Sequence, residues 1–427
     1  MSAPLEEVQL PLLAVPFRHG ALSPWALSES AAGLCRLLWL VGPDAPPDAV
    51  TSRLLRRFGA VVDLSSTPPG RWPAIVGPFA PDGLLVVSDH DMVELAGLAS
   101  SLGLRFNSPQ TAWNLTDKTS QRAALAAAGL PTPRLAPINS GADRPSAERA
   151  LDRVGLPAVL KPQRGGDSRL TYRISEEREL HAALRALEGD GLGALASPFP
   201  MVLEEYLSDA PAALGSPFAN YLSVESIVHG DIVDHLAITG RFPPAEPFRE
   251  RGFFIPSTAS PPLDTELLDL ADAAARALGV DSGALHTEIK LTADGPRVIE
   301  VNGRLGGGIP AMLELASGTS AIRLAMSAAL GSPPDTRGPR QCTTVAYRLL
   351  VQGPTWARGV ESVEGLDRVG GFPGVAAVAL HRGPGSSIDW RTGNHDYVFS
   401  VLGVVPDHDA LATLERSVAS SVVVTYR

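Results

Sequence analysis

The chain has 427 residues, too many for one typical hydrophobic core, and this length predicts about two to four folded units. Its 36 lysines and arginines stand against 46 aspartates and glutamates, which gives a formal net charge of −10. An acidic balance of this size argues against general binding to nucleic acid or to an anionic membrane surface.

Cysteine usage and the N-terminal sequence indicate a cytoplasmic protein. Cys35 and Cys342 are far apart and belong to no metal-ligand spacing, as expected for reduced structural thiols. The stretch "MSAPLEEVQLPLLAVPF" has acids where a secretory signal would have a basic start. No run of about 18 apolar residues occurs, so no membrane-spanning segment is expected.

The N-terminal part of the chain predicts a small α/β layer. Apolar runs at residues 36–42, 60–66 and 83–89 are typical of buried strands. Amphipathic stretches predict one helix over 46–60 and another over 91–104. Strands and helices that alternate in this way favour a layered α/β unit. No GxGxxG motif follows the first of these strands, so dinucleotide binding is not expected here.

The next segment predicts a helix and then a glycine-rich turn between two strands. Thr116 can cap the helix, and Lys118 lies in its first turn, where phosphates tend to bind. Lys161 ends the first strand, and Gly165 and Gly166 would let backbone N–H groups close over a phosphate chain. Taken alone, each feature is also explained by a solvated lysine or an exposed turn.

Strands dominate the region that follows. The stretch "MVLEEYL" (201–207) predicts a strand that either meets a planar base or forms a sheet edge. A hairpin is predicted over 221–240 with its turn at 229–231, and an amphipathic helix over 263–280. After about residue 335, short strands with Gly and Pro, a closing helix and a last strand predict a separate α+β unit.

The stretch "HTEIKLTADGPRVIEVNGRLGGG" predicts a hairpin with polar side chains on one face. Because side chains alternate along strands, His286 and Glu288 share a face of the first strand, and Glu300 and Asn302 share a face of the second. The two sets meet only if paired residue numbers have an even sum, which a three-residue loop centred on Asp294 provides. A two-residue loop would give an odd sum. We therefore predict that Glu288 lies opposite Glu300 and that His286 faces Asn302.

This pairing predicts a cation site. Two carboxylates about 5 Å apart at Cβ on opposite strands destabilise a hairpin unless a cation compensates them. Carboxylate and amide oxygens suit Mg²⁺, which usually shares them with substrate phosphates, so Glu288, Glu300 and Asn302 are predicted metal ligands. Arg304 adds a fixed guanidinium fork for an oxyanion or a carboxylate. The alternative is a solvated hairpin face with a Glu–Arg pair, which leaves Asn302 and the following glycines unexplained.

The order of these features resembles the ATP-grasp superfamily. The matching segments cover roughly residues 117 to 318 and are "DKTSQRAALAAAGLPTP", "VLKPQRGGDSR", "LEEYL", "YLSVESIVHG" and "HTEIKL…VIEVNGRLGGG". The resemblance implies an α/β (α+β) fold in which two subdomains clamp ATP. The implied units are a Rossmann-like N-terminal domain (1–115), a subdomain with the glycine-rich loop (116–200), a subdomain with the metal site (201–335) and a small C-terminal α+β unit (336–427).

The resemblance also implies a role for each matching residue. The residues implied to bind ATP are Lys118, Lys161, Gly165, Gly166, Ser168, Glu204, Glu205, Tyr206, Leu207 and Glu225, of which Glu225 is a candidate for the ribose. Glu288, Glu300 and Asn302 would hold two Mg²⁺ ions, with Mn²⁺ as an alternative metal. The residues implied in catalysis are Arg304, Glu288, Lys161 and His286. Arg304 would hold the acyl phosphate or the substrate carboxylate, whereas His286 either orients a reactant or is a structural neighbour.

Within the superfamily the chain is most similar to the L-amino acid ligases. The similarity lies in "SVESIVHGDIVDHLAITGR…PFRERGFFIPS", "ALHTEIKL" and "RLGGG". It implies small-molecule substrates: ATP phosphorylates a carboxylate, an amine attacks the acyl phosphate, and ADP and phosphate leave. A homodimer is one assembly that this leaves open. The alternatives are an ATP-grasp carboxylase or nucleotide-biosynthesis ligase, a nucleotide-binding regulatory protein without turnover, and an enzyme that passes its acyl phosphate to a thiol or carrier protein.

Two departures from the family pattern set further expectations. The segment "SDAPAALGSPFAN" intervenes after the adenine segment, and Tyr221 stands where a ribose-binding acid is expected. Gly306, Gly307 and Gly308 leave no side chains beside Arg304, so we expect room there for a bulky acceptor.

Overall fold

The structure is a computed structural model that describes residues 9–43, 46–139, 144–188, 200–210, 217–333 and 338–427. No helix in these ranges has the length and apolar character needed to cross a bilayer. The first eight residues, which bear on the expectation about a secretory signal, lie outside the described ranges.

The N-terminal layer is a parallel sheet covered on both faces. Its strands are β1 (Leu12–Phe17), β2 (Arg36–Val41), β3 (Gly59–Asp63) and β4 (Gly83–Leu84), in the order β3-β2-β1-β4. Its helices are α1 (Pro24–Ala31), α2 (Ala49–Phe58), α3 (Trp72–Val76) and α4 (Met92–Leu102). Alternate residues of β2 enter two different apolar cores, as both-face burial of a parallel sheet requires. The prediction missed β1, and the strand expected over 83–89 has only two residues.

Two short helices connect this layer to a small antiparallel sheet. They are α5 (Pro109–Thr116) and α6 (Lys118–Ala127). The prediction that Thr116 caps the second helix is wrong, because Thr116 ends α5. The carboxylate of Asp117 accepts a hydrogen bond from Ser120 N at 2.9 Å and caps α6 instead.

The small sheet has the order β5-β8-β6-β7 and supports the glycine-rich loop. Its elements are β5 (Leu135–Ile138), α7 (Arg144–Val154), β6 (Ala158–Pro162), β7 (Tyr172–Ile174), α8 (Glu177–Glu188) and β8 (Met201–Glu205). Both helices share one apolar core with the strands. The glycine-rich loop connects β6 to β7, so the sheet fixes both ends of the loop.

The large sheet has eight strands among the described residues, all in antiparallel pairs. They are β9 (Tyr221–His229), β10 (Ile232–Arg241), β11 (Gly252–Ile255), β12 (Ser282–Thr292), β13 (Gly295–Asn302), β14 (Val345–Gln352), β16 (Val375–Leu380) and β17 (Tyr397–Val405), in the order β13-β12-β9-β10-β11-β14-β17-β16. Three strands of the predicted C-terminal unit, β14, β16 and β17, extend this sheet. The predicted boundary at residue 335 stays a prediction. Only β15 (Val360–Glu364) and β18 (Val423–Tyr426) form a further pair there.

Helices cover the large sheet on both faces. α9 (Pro261–Leu278) packs on one face with the apolar side chains of β9, β12 and β13. α10 (Ile309–Ser317) and α11 (Ala321–Ala329) pack on part of the other face, and α12 (Leu366–Val369) and α13 (His408–Ser421) lie in the C-terminal region. The face opposite α9 also carries the polar side chains of the predicted site. With one parallel sheet, three antiparallel sheets and helices packed on them, the predicted α/β fold class is confirmed.

The predicted pairing of the polar hairpin is confirmed, but for a different reason. Glu288 lies opposite Glu300, and His286 lies opposite Asn302. The turn contains two residues rather than three, because Thr292 pairs with Gly295. A β-bulge on β13 then shifts the register, so the odd sum near the turn becomes even at the carboxylates.

Candidate active site

Lys118 joins the glycine-rich loop to the polar hairpin. It is the first residue of α6 and is 5% exposed. Its Nζ donates a hydrogen bond to Gly165 O at 2.7 Å and lies 3.0 Å from Glu300 Oε1. Its backbone N–H donates to Gln163 O at 3.0 Å. One ammonium group therefore holds the loop between β6 and β7 against a carboxylate of β13.

Lys161 lies in a buried charge network around Glu204. Lys161 Nζ is 2.6 Å from Glu204 Oε1, and Arg122 Nε donates to Glu204 Oε2 at 3.1 Å. Burial alone would raise the pKa of Glu204, but the positive charges of Arg122 and Lys161 outweigh burial and lower it. The Glu204 carboxylate is thus bound to two cations. The predicted contact between Glu204 and adenine would therefore have to use the backbone of Glu204 rather than its carboxylate.

The other residues of the predicted adenine segment lie at the end of β8. Glu205 Oε2 accepts hydrogen bonds from Arg134 N at 3.1 Å and Arg134 Nε at 3.2 Å. The ring of Tyr206 has the guanidinium of Arg173 4.7 Å from its centroid, and Leu207 is half-buried. The end of β8 therefore presents a tyrosine ring with a cation already stacked on it.

The glycine-rich loop leaves space above its glycines. A methyl group at Gly165 or Gly166 would meet no atom within 4 Å outside its chain neighbours. Ser168 Oγ donates a hydrogen bond to Phe248 O at 2.8 Å, so its hydroxyl already has a partner. The two glycines are the part of the loop that stands open to a phosphate chain.

The far end of this loop docks on the C-terminal region. Asn394 N donates to Asp167 O at 2.8 Å, and the Asp167 carboxylate lies 3.1 Å from His395 Nε2. A methyl group at Gly393 would lie 2.0 Å from Asp167 O, so only glycine permits this approach. The described contacts thus fix the loop through Lys118, through Phe248 and through residues 393–395.

His286 lies between two carboxylates. Its Nδ1 is 2.9 Å from Glu225 Oε2, and its Nε2 is 3.3 Å from Glu288 Oε1. Burial alone would lower the pKa of His286, but the two carboxylates outweigh it and raise that pKa to about 9. The resulting imidazolium helps to lower the pKa of Glu288 to about 2, against the effect of burial. In this structure His286 orients and neutralises carboxylates.

The assignment of Glu225 to a ribose does not agree with the geometry. Glu225 is 1% exposed and accepts hydrogen bonds from His286, from Ser223 Oγ at 2.6 Å and from Thr239 Oγ1 at 3.2 Å. A ribose would have no access to this carboxylate. Part of the segment expected to replace the ribose-binding acid, residues 211–216, lies outside the described ranges.

The predicted metal ligands form a set that suits a shared ion. The side chain of Glu288 is 21% exposed and that of Glu300 17%, while the nearest charged partner of each is a cation. Asn302 is 5% exposed, and its Nδ2 lies 3.5 Å from His286 O. Among the described residues, no three His, Cys, Asp or Glu side chains form a metal-binding group by themselves. Two carboxylates and an amide fit Mg²⁺ when phosphates and waters complete its octahedron.

Arg304 is held by a residue of the N-terminal layer. Its Nε donates to Asp89 Oδ2 at 2.8 Å. Burial alone would lower the pKa of Arg304, but Asp89 and Asp167 outweigh burial and raise it. Asp89 follows β4, so the N-terminal layer contributes directly to the site.

The three glycines after Arg304 leave less room than expected. A methyl group at Gly306 would lie 2.7 Å from His286 Nδ1, and one at Gly308 would lie 2.9 Å from Arg348 Nη1. Only Gly307 faces space with no atom within 4 Å. The expectation of a wide opening beside Arg304 is therefore corrected to a narrow one at Gly307.

The structure links the small and large sheets through two of the predicted lysines. Lys118 contacts Glu300 directly, and Lys161 reaches the hairpin through Glu204 and Arg122. On the hairpin, His286 contacts Glu288 and lies opposite Asn302. Three further residues were missed: Asp89, Arg122 and Arg348. The only local signal was the acidic "SDHD" after β4, which is common at strand ends. Arg122 and Arg348 lie in regular elements and act across the fold, so periodicity gives no sign of them.

Comparisons of sequence identify relatives of this chain. No family model matches it. An uncharacterized protein of Sinorhizobium fredii is 31% identical over 73% of this chain and 62% of its own length. The alanine–anticapsin ligase of Bacillus subtilis is 27% identical over 51% of this chain and 47% of its own length. The chain thus spans about half to three fifths of these curated relatives.

Comparisons of structure cover nearly the whole chain. The L-amino acid ligase of Bacillus licheniformis matches with a TM-score of 0.75 and 20% identity, over 98% of this chain and 99% of that one. The N5-carboxyaminoimidazole ribonucleotide synthetase of Thermotoga maritima matches with a TM-score of 0.67 and 16% identity, over 98% and 100%. At these identities the matches show the fold. With the sequence relatives and the motif order, they agree with the resemblance to the ATP-grasp superfamily: the chain is similar in fold to the L-amino acid ligase and in sequence to the alanine–anticapsin ligase.

Proposed function

We propose that the protein is an ATP- and Mg²⁺-dependent carboxylate–amine ligase that joins an amino acid to an amine or a second amino acid. The observation that carries this proposal is the position of Lys118 Nζ, 2.7 Å from the loop carbonyl of Gly165 and 3.0 Å from Glu300. A cation between a glycine-rich loop and a carboxylate pair is where a triphosphate and its metal would be held.

The residues divide this work by their chemistry. Lys118 and Lys161 would bind ATP phosphates under the open backbone of Gly165 and Gly166, and Tyr206 and Leu207 would border the base. Glu288, Glu300 and Asn302 would hold two Mg²⁺ ions, which neutralise charge on the transferred phosphoryl group. Arg304, oriented by Asp89, would hold the substrate carboxylate or its acyl phosphate.

The reaction needs no protein nucleophile. A carboxylate oxygen of the substrate attacks the γ-phosphorus of ATP, and ADP leaves. The amine nitrogen then attacks the acyl carbon, the C–O bond to phosphate breaks, and the amine loses one proton. His286, with Glu225 Oε2 at 2.9 Å from its Nδ1 and Glu288 Oε1 at 3.3 Å from its Nε2, would position these carboxylates.

Phosphate release from ATP, measured over pairs of amino acids and amines with magnesium, tests the proposal. We expect phosphate release only when both organic substrates are present. The proposal is contradicted if no pair gives phosphate release while mass spectrometry shows that the protein has its expected mass.

One rival has a specific observation in its favour. The synthetase of Thermotoga maritima shares the architecture over the whole of its chain. A ligase of that kind would release phosphate with bicarbonate and an aminoimidazole ribonucleotide and would be indifferent to amino acids. The same assay with this pair in place of the amino acid and amine therefore separates the two activities.

A further inference from the structure

One face of the large sheet carries a row of cationic side chains. The row begins beside Glu288, a predicted metal ligand, and continues across the neighbouring strands. Directly paired residues of an antiparallel ladder point to the same side of a sheet. Lys290 pairs with Tyr221, Arg241 with Phe253, and Phe253 with Arg348. Arg241 also lies 5.4 Å from the Tyr221 ring centroid. Since Glu288 is two residues from Lys290 on β12, the row and Glu288 share one face.

Two of the three cations in this row are paired with carboxylates. Lys290 contacts Asp209, and Arg241 Nε lies 3.3 Å from Glu250 Oε1. Arg348 has no carboxylate partner among the described residues. A half-buried guanidinium without a counter-ion keeps its charge available for an anion from outside the chain.

Neutral groups hold Arg348 in place. Its Nη2 donates to Tyr397 Oη at 3.2 Å, and its guanidinium carbon lies 5.9 Å from the Tyr397 ring centroid. A methyl group at Gly308 would lie 2.9 Å from Nη1 and 3.4 Å from the ring of Phe253. The guanidinium therefore sits at the end of the glycine segment that begins after Arg304, with its charge oriented but not neutralised.

From these contacts we infer that Arg348 binds a carboxylate on the amine substrate, so that the acceptor is an amino acid rather than a simple amine. This inference rests on the proposed ligase activity. Arg304, which Asp89 orients, is assigned to the other carboxylate, the one that is phosphorylated. A guanidinium fork is suited to bidentate recognition of a carboxylate. A chain with a net charge of −10 also needs a local cation to retain an anionic acceptor.

The glycine segment after Arg304 connects the surroundings of His286 to Arg348. A methyl group at Gly306 would lie 2.7 Å from His286 Nδ1, and one at Gly308 would lie 2.9 Å from Arg348 Nη1. Two extended residues span about 7 Å. The two glycines that contact these side chains are therefore no farther apart than the two residues of a dipeptide-like product.

The test compares an amino acid acceptor with its C-terminal amide, using the pair that gives the fastest phosphate release in wild type. In Arg348→Gln we expect the KM for the amino acid to rise by about 10- to 100-fold, because a charged hydrogen-bonded pair is lost. The KM for the amide and kcat should change little. Arg348→Lys should restore part of the preference, and Tyr397→Phe should raise the amino acid KM by a few-fold.

Arg416→Gln, an exposed position on α13, is the matched control and should leave every constant unchanged. Equal changes for acid and amide, or no change for either, would overturn the inference while leaving the ligase proposal intact. If wild type releases no phosphate with any pair, the ligase proposal itself fails and the inference with it.

Discussion

Two parts of the proposed site differ in how the positive charges of their lysine and arginine side chains are balanced. At the nucleotide end, which we define as Lys118, Lys161, Glu204 and Glu300, each lysine already contacts a carboxylate. At the acceptor end, defined as Arg348, Phe253 and Gly308, the cation contacts a neutral phenol. The first end is held rigid by mutual pairing. The second is held in place but left charged, as recognition of an anion requires.

Replacing the carboxylate shared by the hairpin and Lys118 should have the largest effect. Glu300→Gln keeps the size of the side chain and removes the charge that we assign to metal binding. Turnover should fall by on the order of 100-fold or more, as when one stabiliser of transition-state charge is removed. Steady-state phosphate release measures it.

Glu314→Gln, on the exposed side of α10, is the control for a lost surface carboxylate. Turnover of Glu300→Gln within a few-fold of wild type would remove the metal assignment.

The second-largest effect should come from removing the contact between Asp89, which follows the N-terminal sheet, and Arg304. Asp89→Ala frees the guanidinium that Asp89 Oδ2 holds at 2.8 Å, so its orientation is lost. We expect kcat to fall by about 10- to 100-fold, as small displacements of reacting groups do. Asp89→Asn keeps an acceptor oxygen and should recover most of this loss. Equal kinetics for the two variants would show that Asp89 does not position Arg304.

Neighbouring glutamates on β8 allow a matched comparison of buried and exposed pairs. Lys161→Met leaves Glu204 with Arg122 alone in the interior, and should lower the free energy of unfolding by about 1–3 kcal/mol. Arg134→Met breaks the pair with Glu205, where the arginine side chain is 61% exposed, and should cost below about 1 kcal/mol. Urea unfolding measures both.

Lys161→Met should also raise the KM for ATP, whereas Arg134→Met should not. An unchanged KM for ATP in Lys161→Met would place this lysine outside the nucleotide site.

The smallest expected effect concerns the contact between the loop and the C-terminal region. The hydrogen bond with Asp167 raises the pKa of His395, and His395 helps to lower the pKa of Asp167 to about 2, against the effect of burial. The raised histidine pKa stabilises the fold fully below its unfolded value of about 6.5, and the lowered aspartate pKa does so above about 3.9.

His395→Gln should therefore cost below about 1 kcal/mol at pH 6, since both side chains are half-exposed. The difference from wild type should shrink as the pH rises through the raised pKa of His395. A difference that grows between pH 6 and pH 9 in urea unfolding would argue against this contact.

The polar hairpin shows how far local patterns predict a site. Alternation along β12 and β13 and the need to keep one face apolar predicted that Glu288 faces Glu300, and they do. The turn length was wrong because a bulge on β13 adjusts the register. Bulges depend on the strand's surroundings, and a single sequence carries no local sign of them.

The missed residues share a different cause. Arg122 meets Glu204 across 82 positions of sequence, and Arg304 meets Asp89 across 215. Neither contact produces a hydrophobic or polar periodicity that can be recognised in the sequence. Likewise β14, β16 and β17 read as short strands, and nothing local shows that they join the sheet of β12. The predicted domain boundaries stay predictions, and the strands on either side of residue 335 share one sheet.

The central claim is that this protein activates a carboxylate as an acyl phosphate. The most direct measurement supplies the amino acid substrate with ¹⁸O in its carboxylate, together with ATP, magnesium and the amine, and analyses the released phosphate by mass spectrometry. We predict one ¹⁸O atom in each phosphate formed with the product. Unlabelled phosphate, or AMP with pyrophosphate in place of ADP, would contradict the claim.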